Sequence, residues 1–227
     1  MPFCLQSTGM QTFSCSAILF DLDGVLVNSI AAVERAWQKF ATRHSLDATY
    51  VIATAHGHRS IETIQLLLPD SDIDAENEIV ESDEINDTEG LAATEGAAEL
   101  LSVLPRDRWT VVTSGTRPLA TVRLRAAGLP HPPKMVTASE VSNGKPHPEP
   151  YLNGAAALGF EPGQCLVIED AQSGIRAAHA AGMKAIGIPG TYDSDKLHEA
   201  DALVRSLAHL SVEIRSDGLL VRVPDYH

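Results

Sequence analysis

The sequence predicts an α/β fold: a doubly wound parallel sheet interrupted near its start by a helical insertion. Three observations predict it. Apolar runs of strand length recur at Ala17–Phe20, Trp109–Thr113, Lys134–Ala138, Cys165–Glu169 and Lys184–Ile188, with helix-length segments between the later ones. Strand alternating with helix at this spacing builds a parallel sheet covered on both faces. Between Ser29 and about Thr94 nothing reads as a strand. Polar residues then stand just beyond the apolar runs, at Asp21-Leu22-Asp23-Gly24-Val25, Thr113-Ser114-Gly115, Lys145-Pro146 and Glu169-Asp170. Open parallel sheets collect their ligands at the carboxyl ends of strands, so four separate segments converge on one edge.

The elements follow in order. Ala17–Phe20 is a buried strand ending in a glycine turn. A helix runs from about Ser29 to Arg43, with Ser29 as N-cap and Trp37 and Phe40 on one face. Ser60–Leu68 and Asp74–Asn86 read as helices, and the acidic stretch Asp70–Glu89 as a solvated face. Beyond Glu95-Gly96 come a helix at Ala97–Leu104, a strand at Trp109–Thr113 and a helix at Pro118–Ala127 stopped by Gly128. Then follow the strand Lys134–Ala138, the helix Pro148–Leu158, the strand Cys165–Glu169, the helix Ala171–Ala181 closed by Gly182, and the strand Lys184–Ile188. Val212–Ile214 and Leu219–Val223 flank Ser216-Asp217-Gly218 as a terminal hairpin. Residues 1–28 and 95–227 form the α/β core on this reading, residues 29–94 the insert, and Met1–Gln11 a loose tail in which Met10 is an alternative start.

The net charge of −13 disfavours nucleic acid or an anionic membrane as partner, because both call for a basic face. It leaves a small anionic substrate open, since one local cation and a few amides can dominate a single pocket. The first basic residue is Arg35, which gives no charged start to a signal peptide, and no apolar run nears the ~20 residues that span a bilayer. Cys4, Cys15 and Cys165 are odd in number and unrelated in spacing. A reduced, cytoplasmic, monomeric protein is the expectation.

The chemistry of the four segments is phosphoryl transfer. Asp21 is the candidate nucleophile: a carboxylate with an ordinary pKa near ~3.9 is anionic at neutral pH without a general base. A cation must then separate it from an anionic phosphate, and covalent aspartyl-phosphate chemistry of this kind is established. Asp23, two residues on, can protonate a leaving alcohol and later take a proton from water. Glu169 and Asp170, with Asp21, supply an all-oxygen donor set suited to Mg²⁺. Lys145 offers a fixed positive charge, and Thr113, Ser114 and the Gly115 amide offer hydrogen bonds to phosphoryl oxygens.

These motifs, in this order, resemble the haloacid dehalogenase-like superfamily, which shows DxDG(T/V), a Ser/Thr motif, a lysine and paired acids; the resemblance spans Ala17 to Pro189. It implies a Rossmann-like core, with the helical insert standing where that superfamily carries a small cap domain. It also implies an Asp21 nucleophile, an Asp23 acid/base, and Mg²⁺ held by Asp21, the Asp23 main-chain carbonyl and Asp170, with Glu169 in or near the surrounding shell. The namesake dehalogenases lack the second acid, so Asp23 favours a phosphoric monoester hydrolase. Gly144-Lys145-Pro146-His147-Pro148-Glu149-Pro150-Tyr151, Thr113-Ser114-Gly115-Thr116 and the insert segment His56-Gly57-His58-Arg59-Ser60 look like a subgroup acting on sugar and polyol phosphates, among them 2-deoxyglucose-6-phosphate, hexitol phosphates and glycerol phosphate. In that subgroup His56–Ser60 would face the alcohol part of the substrate, with His58 or Arg59 on its hydroxyls; the alternative is a plain helix start capped by Ser60. A β-phosphoglucomutase is the nearest rival. Val33 stands here where such mutases carry a proton-shuttling histidine, and the glycine segment is one residue shorter, which favours water as acceptor. A catalytically silent binding protein on the same fold is a further alternative. Of the other residues, His147 shapes its loop, His56 and His58 make a poor metal pair, and Gly174 and Arg176 serve turn and helix surface.

Overall fold

The computed structural model describes residues 9–190 and 194–226; Cys4 and most of the expected tail lie outside them. In chain order the chain forms β1 (Met10–Cys15), β2 (Ala17–Phe20), β3 (Val27–Asn28) and then α1 (Ile30–His44), α2 (Ala48–Ala55), α3 (Ser60–Leu67) and α4 (Ile73–Asn86). It returns through β4 (Ala92–Ala93), α5 (Ala97–Val103), β5 (Trp109–Val112), α6 (Arg117–Ala126), β6 (Met135–Val136), α7 (Glu149–Leu158) and β7 (Cys165–Glu169). α8 (Gln172–Ala180), β8 (Lys184–Gly187), β9 (Ala202–Leu203), β10 (Ser211–Arg215) and β11 (Gly218–Pro224) complete it.

Six parallel strands form the central sheet in the order β6-β5-β2-β7-β8-β9. Strand alternation divides β2 between two cores. Ile18 and Phe20 join Trp109, Val111, Leu166 and Ile168 under α5 and α6. Ala17 and Leu19 join Val112 and Val167 under α7 and α8, which contribute Tyr151, Ala155, Ile175 and Ala178. Because both faces are covered, these strands read as continuous apolar runs. β2 lies at the centre, where strand order reverses between β5 and β7, so the ends of these three strands frame the crevice.

Helices α1–α4 build a separate cluster around Trp37, Phe40, Val51, Ile64 and Val80. β3 pairs antiparallel with β4 where the chain leaves and re-enters the sheet layers. Two residues per strand are too few to show an alternation, which is why the span up to Thr94 reads as strand-free. α2 went unread although Ala48, Val51, Ile52 and Ala55 share one face, because the helix is short and Val51-Ile52 are β-branched; Asp47 caps it by accepting from the Tyr50 amide at 2.8 Å. The expected strand at Lys134–Ala138 shrinks to Met135–Val136, because Thr137 and Glu140 close a capping box over the next turn. The terminal hairpin forms as expected, but β11 also pairs with β1, so Met10 and Gln11 belong to a three-stranded antiparallel sheet rather than a tail. Among the described residues no helix is long and apolar enough to cross a membrane. Cys15 and Cys165 are buried free thiols.

Candidate active site

Asp21 follows β2 directly, and its amide donates to the Ile168 carbonyl at 3.0 Å, so its position is fixed by the strand next door. Lys145 reaches it from the loop before α7. Its Nζ donates to Asp21 Oδ1 at 2.6 Å, to Glu169 Oε1 at 2.6 Å and to the Val112 carbonyl at 3.2 Å, with the side chain 2% exposed. Burial works against the Lys145 ammonium, but Asp21 and Glu169 outweigh it and hold its pKa above the ordinary lysine value. Burial pushes the Asp21 carboxyl up to about 7; Glu169 and Asp23 add to the rise and Lys145 opposes it. An ionised Asp21 therefore calls for positive charge beyond what Lys145 supplies.

Glu169 is saturated. Oε1 accepts from Lys145 and from the Tyr151 hydroxyl at 2.8 Å, and Oε2 accepts from the amides of Asp170 and Ala171 at 2.9 and 3.0 Å. Its role is to hold Lys145 and the turn after β7. Gly174 makes room for it: a Cβ there would stand 1.7 Å from Glu169 Oε1. The expectation of a mere turn residue is thus corrected, whereas Arg176 does sit on the helix surface, paired with Glu199. Carboxylate oxygens of Asp21, Glu169 and Asp170 lie within 4.8 Å of one another, all three residues buried. Such a cluster of hard oxygen donors, with Asp21 held up by burial, fits a divalent cation. Of the three, Glu169 is the least available to it.

Thr113 follows β5, buried at the cavity wall, and its Oγ1 accepts from the Gly115 amide at 3.0 Å. Ser114 Oγ and Ser173 Oγ each donate to the Gly57 carbonyl at 3.2 Å, so the loop after β5 and the first turn of α8 seat the α2–α3 turn. Gly57 has φ +78°, and a Cβ would meet Ser173 Oγ at 2.7 Å and Ala171 Cβ at 2.8 Å. His56, Gly57, His58 and Ser60 line the cavity, together with Ile30, Val33 and Trp37 of α1. Burial lowers the His56 pKa below the ordinary histidine value.

Arg59 points elsewhere. Its guanidinium donates to the Val141 and Ser142 carbonyls at 3.0 and 2.9 Å and to Glu62 at 2.5 Å, while Glu62 also accepts from the Gly144 amide at 3.1 Å. Arg59 is a clamp onto the 141–144 loop and is absent from the cavity lining, contrary to the expected hydroxyl contact. Ser60 does not cap α3 either; its hydroxyl donates to Asn77.

Asp23 lines the same cavity as Thr113. Ser29 stands at the N-cap position of α1, but its hydroxyl donates to Asp23 Oδ1 at 2.5 Å instead of capping the helix. Asp23 Oδ2 accepts from Arg123 Nη1 at 2.5 Å.

Residues 15–182 match the family described as haloacid dehalogenase-like hydrolase. Hexitol phosphatase A of Escherichia coli is 42% identical over 209 residues, covering 90% of this chain and 97% of its own. The chain belongs to the haloacid dehalogenase-like hydrolase family. Glycerol-1-phosphate phosphohydrolase 2 of Saccharomyces cerevisiae is 36% identical over 213 residues, covering 88% and 84%. A hydrolase from Pseudomonas syringae superposes with a TM-score of 0.77 at 27% identity, over 85% of this chain and 94% of its own. The β-phosphoglucomutase of Clostridium difficile shares the fold, with a TM-score of 0.76 at 24% identity over 87% and 93%.

The chain carries its acids at the ends of β2 and β7, but the sequence left part of the site unread. Arg123 sits on α6 beside Leu119, Ala120 and Leu124, all buried. An arginine on an apolar helix stripe is a readable signal. Glu84 gives no such signal: it stands in the acidic stretch Asp70–Glu89 that reads as a solvated face, yet it is buried on α4 one turn after Val80. Tyr151 was legible only as part of a motif; its hydroxyl bond to Glu169 requires the fold.

Proposed function

We propose that this chain is a Mg²⁺-dependent phosphatase that hydrolyses small sugar or polyol phosphate monoesters through a phospho-aspartyl intermediate on Asp21. The observation that carries the reading is Asp21 itself, buried, locked by Lys145, and facing a cavity it shares with Asp23, Thr113 and Asp170. The phosphatase relatives support the same class of reaction. Helices α1–α4, residues 29–94, act as a cap over the sheet edge.

In the first half-reaction an Asp21 oxygen attacks phosphorus, the bond to the alcohol oxygen breaks, and Asp23 gives that oxygen its proton. In the second, water attacks the same phosphorus, Asp23 takes the proton it had lost, and the bond to Asp21 breaks to release inorganic phosphate. Lys145 keeps Asp21 oriented, the Thr113 hydroxyl, which accepts from the Gly115 amide, keeps its own proton for a phosphoryl oxygen, and Glu169 holds Lys145. Asp21, Asp170 and the Asp23 main-chain carbonyl would hold Mg²⁺, which offsets the repulsion between Asp21 and the phosphoryl group.

His56, His58 and Ser60 face the alcohol part, and Val33, which cannot carry a proton, argues against mutase chemistry. The test is phosphate release from hexitol, glycerol and 2-deoxyglucose phosphates, with chelator and with Mg²⁺ or Ca²⁺ restored. Mg²⁺ alone should restore turnover, because the larger and less regular calcium shell misplaces the nucleophile. A requirement for hexose 1,6-bisphosphate without phosphate release would contradict the proposal.

A further inference from the structure

Arg123 is a guanidinium in the protein interior, 3% exposed. A buried charge of this kind persists only when its donors are met by acceptors. Two carboxylates from different parts of the chain meet it: Nη1 donates to Asp23 Oδ2 at 2.5 Å, and Nη2 donates to Glu84 Oε1 at 3.0 Å. Ser29 supplies the remaining bond, to Asp23 Oδ1. Asp23 thus has one donor on each oxygen, and the planar fork of the guanidinium fixes the direction of its carboxylate.

The surroundings say what fixes Arg123 in turn. Glu84 is itself buried, 8% exposed, and belongs to α4 of the helical insert. One turn earlier on α4, Glu81 accepts from the Thr116 hydroxyl at the start of α6. Two acids on α4 therefore grip α6 at two places, and Arg123 passes that grip on to Asp23. A plain counterion for Glu84 would need only one end of the fork. The second end is spent on the acid/base, although Asp23, at 27% side-chain exposure, is open enough to be solvated instead.

We infer that Arg123 and Glu84 are positioning residues for the reaction: Arg123 aims the Asp23 carboxyl at the alcohol oxygen, and Glu84 holds Arg123 in the orientation that does so. The inference rests on Asp23 as acid/base. It makes the departure of a poor leaving group depend on a contact between the insert and the core.

The leaving group supplies the test. An alkoxide needs the proton from Asp23 to depart, whereas p-nitrophenolate leaves without one. Arg123→Met and Glu84→Gln are compared with the unaltered enzyme on glycerol phosphate and on the first turnover of p-nitrophenyl phosphate, with Mg²⁺. General acid–base catalysis contributes about 10²–10⁴-fold, so Arg123→Met should cut kcat on glycerol phosphate by about 10²-fold or more. KM should change far less, and first-turnover nitrophenolate release should fall by at least ten times less than that kcat. Arg123→Lys should recover part of the loss, since an ammonium keeps the charge but lacks the planar fork that sets the direction of the carboxylate.

The double variant Arg123→Met with Glu84→Met removes both buried charges. If the pair is only structural, it should restore melting temperature and turnover together. On the inference it restores melting temperature alone. Equal losses on both substrates, or recovered glycerol phosphate turnover in the double variant, overturn the inference. Failure of the unaltered enzyme to release nitrophenolate would instead overturn the phosphatase reading beneath it.

Discussion

The floor of the cavity and its helical wall are built on opposite principles. On the floor, Asp21, Lys145 and Glu169 stand at ends of buried strands or in loops tied to them. Glu169 alone accepts four hydrogen bonds from four different donors. The wall is a small helical cluster joined to the core by a few contacts: the Gly57 carbonyl, the Arg59–Glu62 clamp and the acids of α4. A saturated floor suits a reaction whose chemistry must not vary. A lightly tethered wall suits recognition of an alcohol that differs from substrate to substrate.

Substitutions can break this contrast. The largest expected effect is at the floor: Asp21→Asn should lower kcat by about 10⁴-fold or more while leaving circular dichroism and melting temperature close to those of the parent, because the amide keeps shape and loses the nucleophile. Near-normal turnover would remove covalent catalysis from the account.

Next come two glycines, one in each region. Gly174→Ala forces a Cβ into the Glu169 carboxylate, so it should cost about 1–3 kcal/mol of stability and also impair turnover, because Lys145 shifts with Glu169. Gly57→Ala strains a left-handed residue and crowds Ser173, and should cost about 1 kcal/mol or more, with KM changed more than kcat. Denaturant titration beside steady-state kinetics separates them. Equal kcat losses would erase the distinction between floor and wall.

The smallest effects belong to the clamp. Arg59→Ala should raise KM equally for polyol and aryl phosphates, because Arg59 contacts loop carbonyls and no part of the cavity. A selective effect on polyol substrates would return it to substrate recognition. Burial raises the Glu62 pKa, but Arg59 and the Gly144 amide outweigh burial and hold it below the ordinary glutamate value. A depressed acid stabilises the fold fully above its unfolded pKa and loses that contribution as pH falls through the folded one. Stability of the parent relative to Glu62→Gln should therefore narrow on acidification through the carboxylate range. A gap that stays constant would mean the clamp carries no charge-dependent stability.

How legible the molecule was follows the same division. Strands β2, β5 and β7 are covered on both faces, so each is a nearly unbroken apolar run followed by polar residues, and three of the four candidate segments could be read from that punctuation; Lys145, in the loop well beyond β6, could not. The wall offered less. α2 is short and carries β-branched Val51-Ile52 on its apolar face, β3 and β4 are too short to alternate, and Arg59 sits among residues that do line the cavity while pointing out of it. Arg123 was visible as a charge on an apolar helix face, but Glu84 was lost in a stretch of acids read as solvated, and their meeting across α4 and α6 depends on tertiary packing. Ser29 shows the limit most plainly: an ideal capping residue at a helix start, diverted to Asp23 because a carboxylate lies within its reach.

The central claim is a phosphorus–oxygen bond to the first acid of the DxD motif, and borohydride reports it chemically. Enzyme mixed with Mg²⁺ and hexitol phosphate, quenched in the first turnover and reduced, should yield homoserine at position 21 on peptide mass mapping. Reduction at another acid, or none while phosphate is still released, would contradict the account.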